Sequence, residues 1–470
     1  MSLLCYDISS SGITGALLTT GLEPVQLREV HWTPAPTLDV QDATARFTQL
    51  TRELTESSTS DPVAAISIGS FLHSFVLLDN AGQPLTNVFT WLDSQGNDGV
   101  EYLRSQLGDA FHARTGCHYH PMFPVFKLAA FHLNGKLLSQ AARIVSIKSF
   151  FVHLLTGIWV EDDGMASATG LFNVLTGRWD SEIVNLVGVR ENLLASVQSR
   201  TLIIGRVTAQ AARELSLPQN AAVVNGSGDG FLANVGSACE AAEKMSVTLG
   251  TSGVARQTLS NAVLNSSSGT FCYRAELGVY LLGCAGSNGG NVLDWGRSIF
   301  GSLDGVGDDV PIFIPLLHGE RSPDWNPRLT ATWHGLKAKH KAADLSRSIL
   351  EGVIFNLAYF VEIIQNTSRQ KVSDVVLSGN GFRDPLAAPI LATVVDAPVW
   401  MPSHAGLASL RGAGICALRG LGLQVPQLQT IEVTPLEKGE VRDRYRQYRF
   451  LRSNVRSPSG DVGKPSAEPL

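Results

Sequence analysis

Between Ala222 and Gly236 an apolar run breaks at glycines, presents a single acid and re-enters a run of small residues. Gly226, Gly228 and Gly230 relieve the steric limits on a sharp turn and leave room beside the Asp229 carboxylate for a substrate hydroxyl. Residue chemistry alone allows two readings of Asp229: a general base, or the N-cap of a helix beginning there. Asp7 ends another apolar run, and the turn from Ser9 to Gly12 can direct backbone and hydroxyl donors toward a phosphate. Serine-rich turns also serve as plain strand connections. A similar small hydroxylated turn, Gly250-Thr-Ser-Gly253, recurs far downstream.

Leu3 to Ile8, Ile13 to Thr19 and Val25 to His31 read as the strands that would carry the first turn. Val40 to Glu56 follows as a helix, with Val40, Ala43, Phe47, Leu50 and Leu54 at three- and four-residue steps, and Val63 to Ile68 returns to strand. Met245 to Leu249 enters the second turn and the stretch from Val254 to Thr258 leaves it, so the pattern predicts an internal duplication. Phe271 to Gly283 reads as a hairpin. Ala343 to Ile364 reads as a long amphipathic helix with Ile349, Val353, Leu357 and Phe360 on its apolar face. Val375 to Leu377 reads as a buried strand running into Ser378-Gly-Asn-Gly381, and the small residues from Leu407 to Leu418 suit a closely packed helix. Two similar domains with a cleft between them would set Asp7, Asp229 and both turns opposite one another. Beyond about Arg452 the Ser, Pro, Gly and charge content predicts a mobile tail.

The 470 residues exceed one hydrophobic core and suggest roughly two to three domains. A net charge of -5, with 17% charged residues, gives no electrostatic footprint for nucleic acid. No segment approaches the roughly 20 apolar residues of a membrane span, and the N-terminus lacks a signal-peptide pattern, so a cytoplasmic protein with a small-molecule partner is expected. The six cysteines show no metal-binding spacing and are expected as buried free thiols.

Further motifs follow in a fixed order: Leu72 to Asp79, Phe89 to Asp93, Arg114 to Gly116 with His120 to Met122 and Lys127, Ala166 to Asn173, Gly319 to Asn326, and Glu351 to Asn356. With them the chain resembles the FGGY family of carbohydrate kinases over most of residues 1–440, and within it the gluconate kinases. The resemblance implies an α/β, two-domain, actin-like (ribonuclease H-like) ATPase fold with a central cleft. Residues 1–240 would form the sugar side with the catalytic acid, 241–440 the nucleotide side, and 441–470 an extension with a disordered end.

In such kinases the acid at the position of Asp229 takes the proton of a sugar hydroxyl as that hydroxyl attacks the γ-phosphate of ATP. The resemblance likewise implies that Asp7 orients hydrated Mg²⁺, a hard cation preferring oxygen ligands. It assigns Ser10, Ser11, Gly12, Gly250 and Thr251 to the phosphates, Gly379 and Asn380 to the adenosine, and Gly290 to the nucleotide side. Leu72, His73, Trp91 and Asp93 would line the sugar pocket with Asp229. His73 has the alternative of a satisfied core histidine, and Trp91 that of a core residue. Lys127 and Lys148 are cationic candidates for an acidic sugar's carboxylate, with solvated surface lysine as the alternative. Arg321 could grip a carboxylate bidentately or pair with Glu320.

Departures from the family pattern accompany these matches. Asp7 is followed by Ile8-Ser-Ser-Ser-Gly12 where the family commonly has Asp-x-Gly-Thr-Thr-Ser, and Thr14 stands at a basic position. Gln95 and Thr330 stand where arginines are common. Each lost guanidinium could remove charge-assisted hydrogen bonds of about 1.5–3 kcal/mol. The expected activity is ATP-dependent phosphorylation of a sugar or sugar acid, gluconate first, with a ketose or polyol as the alternative substrate. A catalytically weak or inactive homologue that binds sugar as a regulator is the alternative function. The helices at Val40 to Glu56 and Ala343 to Ile364 each offer a face for a homodimer or, equally, an intradomain contact.

Overall fold

The computed structural model describes every residue except 57–61, 136, 304, 306–308, 438 and 456–470. The tail expected beyond Arg452 therefore falls mostly outside the described residues. Two mixed sheets carry the chain. In the first, Pro24–His31, Gly12–Thr19 and Ser2–Ser9 form an antiparallel meander, and Ser2–Ser9 then pairs in parallel with Val63–Ser70, which pairs in parallel with Ala222–Gly228. The second repeats this order: Val279–Ala285, Gly253–Leu259 and Lys244–Leu249 are antiparallel, followed in parallel by Asp374–Ser378 and Val399–Pro402. The predicted duplication is thus visible strand for strand, with the two small-residue turns at equivalent hairpins.

Apolar residues on both faces of these strands demand cover on both sides. On the first sheet, Phe47, Leu50 and Leu54 of the Val40–Glu56 helix pack with Leu4, Tyr6, Ile66 and Ile68. Each such side chain contributes about 1.5–3 kcal/mol when fully buried. The opposite face is covered by Ala408–Gly420, whose Leu410, Ala413, Cys416 and Ala417 lie against Leu3, Cys5, Ala65 and Val224. This helix lies within the residues expected to build the second domain, yet it packs on the first sheet. It crosses Asp229–Gly236 backbone to backbone: a β-carbon at Gly412 would stand 2.0 Å from the Leu232 carbonyl oxygen, and one at Gly236 1.9 Å from that of Ala408.

Ala342–Ser368 runs through the second core with Ile349, Val353, Leu357 and Phe360 buried. Its length and composition would suit a membrane span, but most of it is enclosed by the protein. The expected extension begins with a further helix, Gly439–Ser453, whose Val441, Tyr445, Tyr448 and Arg452 are buried, and Arg452 pairs with Asp324. A second cluster of helices, from Asn97 to Leu186, is strapped to the second sheet by the hairpin Phe271–Glu276 and Val279–Ala285. Arg274 pairs with Asp163 at 2.7 Å, and the Cys272 amide donates to the Gly116 carbonyl at 3.1 Å. Gly116 has φ +66, and a β-carbon there would lie 1.8 Å from the Cys272 oxygen, which accounts for glycine after Arg114-Thr115.

Candidate active site

Asp7 and Asp229 emerge from the same edge of the first sheet. Both strands pair with Val63–Ser70, Asp7 opposite Gly69 and Gly228 opposite Ser70, so the two acids flank one strand. Strand spacing sets their backbones roughly 10 Å apart. Parallel pairing therefore corrects the expectation that the acids face each other across the cleft: they stand on one wall. Asp229 is also not the N-cap. Gly228 takes that position, and Asp229 begins the helix with its Oδ1 accepting from the Gly230 amide at 2.6 Å.

Burial pushes both carboxyls upward. Asp7 rises to about 7 through burial and then the nearby Asp229 charge, against the Ser409 hydroxyl, and its Oδ1 has no hydrogen-bond partner. Asp229 is raised by burial, against Arg256, the Gly230 amide and Arg321. Ser409 also ties the neighbouring main chain together, donating to the Asp229 carbonyl at 3.3 Å.

A cavity of about 300 Å³ lies in front of Asp229. Ser9, Ser10 and Ser11 line its first-lobe rim, and Thr248, Gly250, Thr251 and Ser252 its second-lobe rim. The first turn spends part of its hydrogen-bonding capacity on itself: Ser9 Oγ donates to the Gly12 carbonyl and accepts from the Ser11 amide, while the Trp32 indole donates to the Ser10 carbonyl. Gly12 closes this turn and is not among the lining residues. The second turn is braced from behind, where the Gly290 amide donates to the Gly250 carbonyl at 2.8 Å and the Asn291 amide to that of Thr251 at 3.1 Å. Gly290 opens the Gly290–Phe300 helix directly behind the turn.

Gly379 and Asn380 follow the strand paired to Lys244–Leu249 and lie outside the cavity lining. Gly379 has φ +94, and a β-carbon there would meet the Leu249 carbonyl at 2.4 Å, a close approach that requires glycine.

Leu72, His73, Trp91, Met122, Tyr273, Arg321 and Trp325 also line the cavity. His73 has the left-handed φ of +66, unusual for a side chain of its size. Its Nδ1 donates to the Ala168 carbonyl at 2.7 Å, and burial takes its pKa down to about 3, so the ring is neutral and Nε2 is an acceptor. Arg321 stacks on Trp91 with its guanidinium carbon 5.2 Å from the ring centroid, and its Nε has no partner. It does not pair with Glu320, whose carboxylate accepts from the Ser287 and Arg321 amides and from Asn356 Nδ2.

Asp93 does not line this cavity: its two oxygens accept from the Gln95 amide and side-chain amide. Lys127 is wholly buried rather than solvated, donating to the Met122 carbonyl at 2.9 Å, and burial lowers it to about 8 against the pull of Asp93. Lys148 is also wholly buried, but between Asp162 at 2.8 Å and Glu161 at 3.2 Å, with Asn225 Oδ1 at 2.9 Å. That ion cluster braces the strand leading to Asp229, since Ser227 donates to Asp162.

Arg256 was not singled out from the sequence. Its strand, Gly253–Leu259, is buried throughout, and a lone arginine in such a strand was the available signal. It donates to Thr248 Oγ1 at 3.1 Å, and a β-carbon at Gly230 would lie 2.9 Å from its Nη2. The arrangement thus combines a carboxylate able to take a proton, two arginines free of ion pairs among the described residues, and amide-rich turns on both rims.

Residues 32–236 match the N-terminal domain of the FGGY family of carbohydrate kinases, and residues 245–421 match its C-terminal domain. A gluconokinase of Bacillus subtilis is 27% identical over 431 residues, 85% of this chain and 84% of the relative. A xylulose kinase of Lactococcus lactis is 24% identical over 344 residues, 69% of this chain and 67% of the relative. Among solved structures, a gluconate kinase from Lactobacillus acidophilus superposes with a TM-score of 0.87 at 24% identity, covering 96% of this chain and 97% of that one.

Proposed function

Because the chain belongs to the FGGY family of carbohydrate kinases, we propose that it transfers the γ-phosphoryl group of ATP to a hydroxyl of a sugar acid, with gluconate the leading substrate. The observation that carries the acid over a neutral ketose or polyol is Arg321. Its guanidinium lies at the cavity wall, with Nη2 donating to the Gly286 carbonyl and Nε unpaired, while the neighbouring Glu320 is occupied elsewhere. A carboxylate there would receive charge-assisted hydrogen bonds from the remaining N–H donors.

In this reading a sugar hydroxyl lies within hydrogen-bond reach of Asp229, gives up its proton to that carboxylate and attacks the γ-phosphorus, while ADP departs with the bridging oxygen. Burial raises the pKa of Asp229 and so strengthens it as a base. Neutral His73 accepts from a substrate hydroxyl through Nε2. Gly250 and Thr251 receive the phosphates, and Gly379, Asn380 and Gly290 shape the nucleotide side. The unpartnered, buried Asp7 Oδ1 suits a hydrated Mg²⁺, which characteristically keeps several waters and binds through one or two carboxylates. When bound, that ion would neutralise phosphate charge.

The test is sugar-dependent ADP release over gluconate, ketoses and polyols, with Asp229→Asn as the control. Sugar-independent release that is unchanged in Asp229→Asn would remove the kinase reading. A second reading, a sugar-binding regulator, draws on Thr14 and the self-bonded first turn; calorimetry showing sugar binding without MgATP affinity would favour it.

A further inference from the structure

Two arginines line the cavity, both within electrostatic reach of Asp229 and of each other. Arg321 lies over Trp91, whereas Arg256 lies beside Gly230 and is held by Thr248, two residues before Gly250. On the first sheet the strand position opposite Asp7 is Thr14, neither of them lines the cavity, and among the described residues that line it from the first sheet's side there is no Lys or Arg. A phosphoryl group in flight carries its charge on three equatorial oxygens and needs positive partners fixed in place.

From this geometry we propose that Arg256 supplies the protein's positive charge to the transferring phosphoryl group, reaching it from the second lobe where the first lobe has Thr14. The inference rests on the kinase reading and adds a specific residue to it. The bond from the sugar oxygen to phosphorus forms, the bond to the ADP oxygen breaks, and the hydroxyl proton goes to Asp229. Arg256 exchanges no proton and serves the non-bridging oxygens. Among the described residues its one side-chain hydrogen bond goes to Thr248, which leaves further N–H donors of the guanidinium for those oxygens. Because Thr248 also shares a hydrogen bond with Ser378 at 2.8 Å, the arginine is anchored to two parallel strands rather than left to swing.

The experiment combines kinetics with nucleotide binding read without turnover. Arg256→Met should lower kcat by about 10²–10³-fold, the loss seen when one charge-stabilising donor is removed from a transition state. The sugar KM should stay within about threefold. By calorimetry in the absence of sugar, the same variant should lose about tenfold or more in ATP affinity while ADP affinity changes by less than about threefold. Arg256→Lys should recover part of both losses, and adding Thr14→Lys to Arg256→Met should raise kcat by about tenfold over the single variant.

An unchanged kcat, or equal loss of ATP and ADP affinity, overturns the proposal. So does a change confined to the sugar KM, which would make Arg256 a sugar contact. Should Arg256→Met fail to fold, Arg256→Lys is read in the same two assays: full kcat with an unchanged ATP-to-ADP affinity ratio overturns the proposal, and a drop in both supports it. A wild-type protein that phosphorylates nothing, yet whose preference for ATP over ADP collapses in Arg256→Met, would end the kinase reading while upholding the phosphate contact.

Discussion

Replacing Asp7 by Asn should stabilise the protein above pH 7 while abolishing turnover. The Asp7 carboxyl is lifted from 3.8 to about 7, first by burial and then by Asp229. At 1.36 kcal/mol per pH unit, that lift corresponds to a ceiling of roughly 4 kcal/mol. Asp7 keeps partial exposure although its Oδ1 is buried, so water screens part of the cost, and about 1–2 kcal/mol is the expected gain. The sign follows from proton binding. Below 3.8 the carboxyl is protonated in both folded and unfolded chains and costs nothing. Between 3.8 and about 7 only the folded form holds the proton, so stability falls as pH rises, and above about 7 the full cost is present. Asn carries no charge at any of these values.

The variant's advantage should therefore be near zero at pH 4, grow through pH 5–6 and level off at pH 8. In a cooperative unit of 150–250 residues it should appear as about 2–8 °C in Tm. Differential scanning calorimetry across that range, without nucleotide or metal, measures it. A pH-independent gain, or a loss of Tm at pH 8, would refute the assignment of Asp7 as an unrelieved buried charge.

Other outcomes follow from the same geometry. Lys148→Met leaves Asp162 and Glu161 facing each other without their cation and should cost about 3–5 kcal/mol, read as a fall in Tm. Arg321→Met should raise the KM for gluconate by tenfold or more and leave that for a neutral polyol within about threefold, if the sugar acid is gripped there. His73→Leu should raise the sugar KM, and because His73 titrates near 3, no inflection from it should appear in the wild-type KM between pH 5 and 8. Gly116→Ala combines a left-handed backbone with an approach of 1.8 Å to the Cys272 oxygen, and should lower Tm by several degrees.

The sheets were legible because their strands are short apolar runs between small-residue turns, and the Val40–Glu56 helix because its apolar spacing is regular. The side-by-side placement of the two acids was not. It depends on both strands choosing the same central partner, a long-range pairing that no local pattern encodes. Lys148 reads as a surface lysine in sequence since its three partners come from residues 161, 162 and 225. The Gly439–Ser453 helix was hidden by its charge, although Val441, Tyr445 and Tyr448 already carry the spacing of a buried stripe. Arg256 was legible in principle, as the one charged residue in a run of otherwise buried strand positions, but its chemistry depends on Gly230 and Thr248 arriving beside it.

The crossing of Gly236 and Gly412 bears on how firmly Asp229 is seated. Both helices share one apolar cluster on the first sheet, and Asp229 is the first residue of one of them. Any side chain added at either glycine would drive a wedge between the two helices and shift that carboxylate with the backbone that carries it.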